Sequence, residues 1–306
     1  MQGARVTGHL SRFGTQAHGL HSRAPHGPHG EDEVKLRFLV TICALAIISA
    51  TSAAAAAESQ APVYYLSLGD SLAAGTQPGR EFTNEGYADQ LAAALRTKMP
   101  TLQLVKLGCP GEATASMITP DLPFEGRTGH NACRYPHGSQ LAEAVNFLHA
   151  HQRFVALVTI DIGPNDLFRC SCTDTIRLNL PRILAALRDA AGPGVPILGM
   201  NFYDPRLAQS WFVTYPGDLG ALAVEIAKAV GFNNFIEGIY AAAGDPVADV
   251  EAAFFTTDKT LVGTTPRDVV IVCAWTWICG PEQNIHANAT GYGVIAAAFL
   301  EALKKN

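Results

Sequence analysis

The chain has 306 residues, of which 48% are hydrophobic and 16% charged, and its formal net charge is −5. That supply of apolar residues is ample for a core and excludes a disordered chain. The acidic balance and the lack of a basic run exclude an electrostatic binder of nucleic acid.

Residues 1–34 are rich in His, Gly and Pro, show no periodicity, and read as an unstructured extension. "KLRFLVTICALAIISATSAAAAAES" then reads as a secretory signal peptide over 35–57. Lys35 and Arg37 precede an apolar run from Phe38 to Ala50, and small residues follow up to Ala57. The run is short and alanine-rich at its end, which suits a cleaved signal better than an uncleaved anchor. Its depth suggests a mis-assigned start, with the true one near Val34. Ile42 stands where a lipoprotein signal needs a small residue before Cys43, so no lipobox is read. The expectation is a secreted protein with one domain over 58–306, no stable membrane insertion after cleavage, and a monomeric state. Without its first 57 residues the chain keeps 17 basic and 24 acidic residues, a net of −7, and five histidines: His130, His137, His149, His151 and His286.

"PVYYLSLGDS" predicts a first strand ending in a Gly-Asp-Ser turn. "GYADQLAAALRTKM" repeats apolar residues at helical spacing, and "LQLVKLG" predicts a second strand ending at Gly108. Glycines and prolines mark residues 110–136 as loop. "SQLAEAVNFLHAH" predicts a helix, and "FVALVTIDIG" a buried third strand. "TDTIRLNLPRILAALRDAAG" predicts a helix that Pro181 kinks or splits. "VPILGMNFYD" predicts a fourth strand, 216–243 a mostly helical stretch, and "DVEAAF" a weaker fifth strand. "NATGYGVIAAAFLEALKK" predicts a closing helix with Tyr292, Ile295, Phe299 and Leu303 on one face. This alternation implies an α/β fold with a central parallel sheet covered on both sides. Sites in such sheets form beyond the C-terminal ends of strands, where Ser71, Gly108, Asn165 and Asp204 all fall.

Each of these residues has an ordinary reading: an N-cap for Ser71, turn residues for Gly108 and Asn165. Together they offer more. Ser71 at a strand-to-helix turn is a candidate nucleophile. Its N–H, the Gly108 N–H and the Asn165 amide would form a three-donor oxyanion hole. His286 in "GPEQNIHANATGY" is the candidate base that takes the Ser71 proton and returns it to the leaving alcohol. Trp211, Phe212, Tyr215, Trp275 and Trp277 are candidates for an acyl pocket, with core or rim packing as the alternative.

Six cysteines remain beyond the signal: Cys109, Cys133, Cys170, Cys172, Cys273 and Cys279. An even count in an exported chain suggests disulfides, with Cys109–Cys133 closing the glycine- and proline-rich loop as the favoured pair. The rival is zinc, but neither Cys170-x-Cys172 nor Cys273-x5-Cys279 has structural-zinc spacing, so no metal and no cofactor is expected.

"LSLGDSLAAG", "LGCPGE", "DIGPND" and "IHANATGY" resemble the four ordered blocks of the SGNH, or GDSL-type, hydrolases, and the resemblance extends over about 63–303. It is closest to the secreted, disulfide-bearing bacterial esterases and lipases. It implies a flavodoxin-like three-layer α/β/α sandwich, metal-free hydrolysis of a small-molecule or lipid ester, catalytic Ser71 and His286, and the oxyanion roles of Gly108 and Asn165. One position departs. The family's last block usually carries Asp three residues before His, and here that residue is Gln283. Some secreted members use a main-chain carbonyl there, so the Gln283 carbonyl is expected to orient His286, with Glu282 as the alternative. Other functions that share these blocks are a glycan O-deacetylase and a catalytically dead binding protein. A flavodoxin-like nucleotide binder is a further alternative, but the sequence has no phosphate-cradling glycine-rich loop to support it.

Overall fold

The computed structural model describes residues 61–119, 133–170 and 172–305. The expected extension 1–34 and signal segment 35–57, together with residues 120–132 of the loop, His130 among them, lie outside the described residues.

Five strands form a parallel sheet in the order β2-β1-β3-β4-β5, the flavodoxin-like order. β1 is Val63–Gly69, and a one-turn helix α1 (Ser71–Ala74) follows it directly. α2 (Tyr87–Arg96) leads to β2 (Leu102–Lys106), then α3 (Thr114–Ile118) and α4 (Gln140–His151). β3 (Val155–Asp161) continues into α5 (Pro164–Cys170) and α6 (Thr173–Ala191). β4 (Ile197–Met200) is followed by α7 (Arg206–Gln209), a π-helical turn over Ser210–Thr214, and the long α8 (Leu219–Ala243). After β5 (Val247–Ala248) come α9 (Val250–Ala253), the small hairpin β6 (Leu261–Val262) and β7 (Thr265–Pro266), and α10 (Arg267–Trp275). A second hairpin, β8 (Thr276–Trp277) and β9 (Asn284–Ala287), leads into α11 (Ala289–Lys305).

β1 and β3 are the central strands, and their near-continuous apolar runs are buried on both faces. α11 packs on α2, with Phe299 stacked on Tyr87 at 5.0 Å between ring centroids. α4, α6 and α8 pack on one another, giving the α/β/α sandwich expected from sequence. A smaller core of Leu207, Trp211, Leu222, Ile226, Val269 and Val272 lies beneath α7, α8 and α10.

Two details differ from the sequence reading. Pro181 does not split α6, which runs unbroken. Pro181 is exposed, so water can serve the carbonyl its ring leaves without a donor. The fifth strand is not "DVEAAF" but Val247–Ala248. Asp249 instead caps α9, its side chain accepting from Ala252 N at 3.0 Å. α10, with its run Val269–Val272, is a helix despite a β-branched composition, because Val269 and Val272 complete the smaller core.

Disulfides join Cys109 to Cys133 and Cys273 to Cys279. Cys172 is disulfide-bonded as well. Among the described residues no group of three His, Cys, Asp or Glu could hold a metal ion.

Candidate active site

The C-terminal ends of β1, β3 and β4 and the start of β9 converge on one groove. Asp70, Ser71, Asn165, Phe168, Tyr203, Asp204, Arg206, Ile285 and His286 are among its lining residues. Ser71, Asn165 and His286, expected from sequence to act together, are thus brought together.

Ser71 is the first residue of α1. The preceding Asp70 caps that helix, its Oδ1 accepting from Leu72 N at 2.9 Å. The turn needs Gly69: its φ is +129°, and an added Cβ would fall 2.1 Å from the Asp161 carbonyl oxygen. Gln140, fully buried on α4, grips the same turn from behind. Its Oε1 accepts from Gly69 N at 2.7 Å and its Nε2 donates to Gly69 O at 2.9 Å.

Gly108 follows β2, one residue before the Cys109–Cys133 bridge, and Cys109 N donates to Gly69 O at 3.0 Å. Glycine is required here because an added Cβ would fall 2.4 Å from Ala73 Cβ and 2.8 Å from Ala74 N. Gly108 lets its loop lie against α1, the helix that carries Ser71.

Asn165 is in the first turn of α5, after a turn at Gly163 with φ +129°. Its Nδ2 donates to Asp70 Oδ2 at 3.0 Å, which fixes the amide plane and leaves its second N–H for another acceptor. Thr114 reaches the neighbouring Asp166 through both N and Oγ1, at 2.9 and 2.7 Å, tying α3 to the same turn.

His286 lies on β9, which several contacts hold in place. Tyr203 Oη donates to Ile285 O at 2.9 Å, and Gln77 Oε1 accepts from Trp277 Nε1 at 2.8 Å on the paired strand. The Cys273–Cys279 bridge closes the end of α10 onto the same hairpin. The group that orients the ring is neither Gln283 nor Glu282. It is Asn284 Oδ1, 2.7 Å from His286 Nδ1 and 2.9 Å from His286 N. Gln283 turns away with φ +45°, its N–H bonded to Gly280 O, and Glu282 is exposed. The backbone N–H can only donate, so the Asn284 atom facing it must be oxygen. The same oxygen can only accept from the ring, so Nδ1 carries the proton and Nε2 keeps its lone pair. Burial lowers the His286 pKa to about 4, so the ring is neutral at ordinary pH.

No hydrogen bond joins Ser71 Oγ to His286 among the described residues. Ser71 Oγ instead has a long contact of 3.4 Å to Asp70 Oδ1. Such contacts commonly tighten only when substrate is bound.

The remaining candidates lie elsewhere. His137 pairs with Glu143 at 2.6 Å, and His151 Nδ1 meets Phe147 O at 2.9 Å. His149 is exposed at the end of α4. The aromatic candidates for an acyl pocket do not line this groove but pack elsewhere or lie exposed, the alternative that sequence favours for each. Trp211 fills the smaller core, Trp275 packs edge-on against Phe254, Trp277 bonds Gln77, and Phe212 and Tyr215 are exposed. Leu167, Phe168, Phe202, Tyr203, Phe232 and Ile285 take their place. Asp204 holds Arg206 there through two bonds of 2.9 and 3.0 Å.

Residues 67–294 match the GDSL-like lipase/acylhydrolase family. The chain belongs to that family. This GDSL acylhydrolase is therefore a carboxylic ester hydrolase, and the matched span contains every groove residue named above. No curated protein matches it. Among solved structures it is similar to a variant of Axe2, an acetyl xylan esterase from Geobacillus stearothermophilus (16% identity, 80% of this chain and 96% of that one, TM-score 0.48). It is also similar to LAE5, an alpha/beta hydrolase enzyme from the metagenome of Lake Arreo, Spain (19% identity, 80% and 97%, TM-score 0.47). A third is the psychrotrophic esterase EstA from Pseudoalteromonas sp. (15% identity, 79% and 97%, TM-score 0.43).

Proposed function

We propose that this GDSL acylhydrolase is an exported, metal-free esterase or lipase that works through an acyl-enzyme on Ser71. His286 Nε2 takes the Ser71 proton as Oγ attacks the ester carbonyl, and returns it to the leaving alcohol. Water, activated by the same nitrogen, then releases the acid. The Ser71 and Gly108 N–H groups and the Asn165 amide receive the negative charge on the carbonyl oxygen. Asn284 holds the ring in the tautomer this needs, which makes the site a Ser–His dyad without an acidic third member. The observation that carries this reading is the neutral, oriented imidazole of His286 in one groove with Ser71 and Asn165. Apolar lining suits an acyl chain, and the fixed Asp204–Arg206 pair marks the polar side of the groove.

Asn165 is the member whose role can be separated from binding. Asn165→Ala is expected to lower kcat by ~10²–10³ while KM changes little, because the amide acts on charge that exists only in the transition state. Steady-state kinetics on aryl esters of graded chain length and on acetylated sugars check this and rank the substrates. An unchanged kcat in the folded variant removes Asn165 from the oxyanion hole.

Export rests on the signal-like segment 35–57 and on the disulfides at Cys109–Cys133 and Cys273–Cys279. N-terminal sequencing of material from the culture medium is expected to find a chain starting near Glu58. Retention of residues 35–50 in the membrane fraction would contradict it.

A further inference from the structure

Nucleophile and base reach the groove from opposite ends of the chain, and one buried side chain spans the gap between their segments. Gln77 lies just beyond α1 and is buried. Its Oε1 accepts from Trp277 Nε1 on β8 at 2.8 Å. Its Nε2 makes a longer bond, donating at 3.5 Å to the carbonyl of Ala287, the neighbour of His286 on β9. An indole N–H can only donate, so the amide oxygen must face Trp277 and the amide nitrogen must face the Ala287 carbonyl. One amide thus grips both strands of the hairpin that carries the base.

The backbone from which Gln77 projects is itself fixed. Gln77 N donates to Arg80 O at 2.9 Å, and Arg80 N to Gln77 O at 3.0 Å. Thr76 Oγ1 donates to Glu81 O at 2.7 Å, and Thr76 N donates to Ser71 O at 2.9 Å. Hydrogen bonds therefore run from the carbonyl of Ser71, through Thr76 and Gln77, to the residue beside His286. The other holds on the hairpin lead elsewhere. Tyr203 Oη ties Ile285 to the end of β4, and the Cys273–Cys279 bridge ties the loop to α10, neither of which carries Ser71.

Burying an amide costs free energy that an apolar side chain of the same length would not. What the amide supplies in return is direction, two bonds that fix where the hairpin lies relative to the nucleophile segment. We propose that Gln77 is a positioning residue that sets the register of His286 against Ser71. This rests on the esterase reading given above. Gln77 does not line the groove and touches no reacting atom. Its work is distinct from that of Asn284, which sets the tautomer of the ring; Gln77 sets the place of the strand. A base displaced by about 1 Å loses roughly 10²-fold in rate, so a clamp outside the groove has leverage on the chemistry.

The test compares wild type, Gln77→Met, Trp277→Phe and the double variant. Methionine keeps the length of the side chain and loses both hydrogen bonds. Phenylalanine keeps an aromatic ring and loses the indole donor. Single-turnover acylation by an activated aryl ester gives a rate and an amplitude, and steady-state kinetics give kcat and KM. Gln77→Met is expected to lower the acylation rate and kcat roughly 10- to 100-fold, with KM changed less than about threefold. The amplitude should stay that of wild type, since a misplaced base slows every molecule whereas partial unfolding removes some of them. Trp277→Phe should lose less, because Gln77 keeps its bond to Ala287. The double variant should be no slower than Gln77→Met, because both changes break the same contact. A folded Gln77→Met enzyme with kcat within about threefold of wild type overturns the proposal. So does a lowered amplitude at unchanged rate, or a double variant slowed by the product of the two single losses. Exchange of the Trp277 indole proton, followed by NMR, needs no turnover. It should be protected in wild type and faster in Gln77→Met, and equal rates overturn the clamp. A protein that hydrolyses no ester would therefore refute the esterase reading while leaving the clamp separately decided.

Discussion

Ser71→Ala is expected to lower kcat by roughly 10⁴–10⁶-fold while leaving the melting temperature nearly unchanged. The loss is large because Ser71 carries the only serine or threonine hydroxyl among the described residues that line the groove. The fold survives because Ser71 Oγ makes only one long contact, 3.4 Å to Asp70. The helix cap belongs to Asp70 and remains. Activated aryl esters give the clearest readout, since wild type should release a burst of phenol as the acyl-enzyme forms. A Ser71→Ala, His286→Ala double variant should be no slower than either single one, because nucleophile and base act as a unit. A Ser71→Ala protein that still turns over within tenfold of wild type would refute the nucleophile assignment.

The second large effect belongs to Asn284. Asn284→Ala removes the acceptor at 2.7 Å from His286 Nδ1, and with it the group that keeps the proton off Nε2. A loss of about 10²-fold or more in kcat is expected, since loss of the group that fixes the histidine tautomer in a serine triad costs still more. Asn284→Asp gives the opposite test through pH. Burial lowers His286 to about 4 in the wild type, so kcat/KM should stay high as pH falls past 6 and drop only near 4. Folding holds the ring neutral, so its contribution to stability is present above the unfolded histidine value of about 6.5 and is lost as pH falls through the folded value. A carboxylate at 284 stabilises the imidazolium, which should move the acid limb upward. A folded Asn284→Ala enzyme with wild-type kcat and pH profile would exclude Asn284 as the orienting group.

The polar residues that meet in the groove were the most legible part of the sequence. Ser71, Asn165 and His286 sit in short polar motifs at the ends of apolar runs, and a parallel sheet brings such ends together whatever the loops between them do. The central strands were equally legible, because burial on both faces leaves an unbroken apolar signature in "FVALVTIDIG" and "PVYYLSLG". What escaped was set by contacts distant in sequence. β8 and β9 pair over too few residues to show a period, so the strand that carries His286 could not be read as one. The family pattern points to position 283, yet Asn284-x-His286 is a recognisable Asx-type signal, a side-chain oxygen two residues before a backbone N–H. The close approach of Gly108 to α1 is likewise set by tertiary contact and leaves no local mark.

The placement of His286 on the hairpin before α11 has a consequence for the order of assembly. Ser71, Gly108 and Asn165 are fixed by the parallel sheet, but the base arrives 215 positions after the nucleophile, on a strand that pairs with none of those five. It is seated only once α11 has docked, with Tyr292 Oη donating to Thr76 O at 2.9 Å and Phe299 stacking on Tyr87. Under the proposed Ser71–His286 dyad, a chain whose α11 has not docked holds its nucleophile without its base, so ester cleavage waits on that contact.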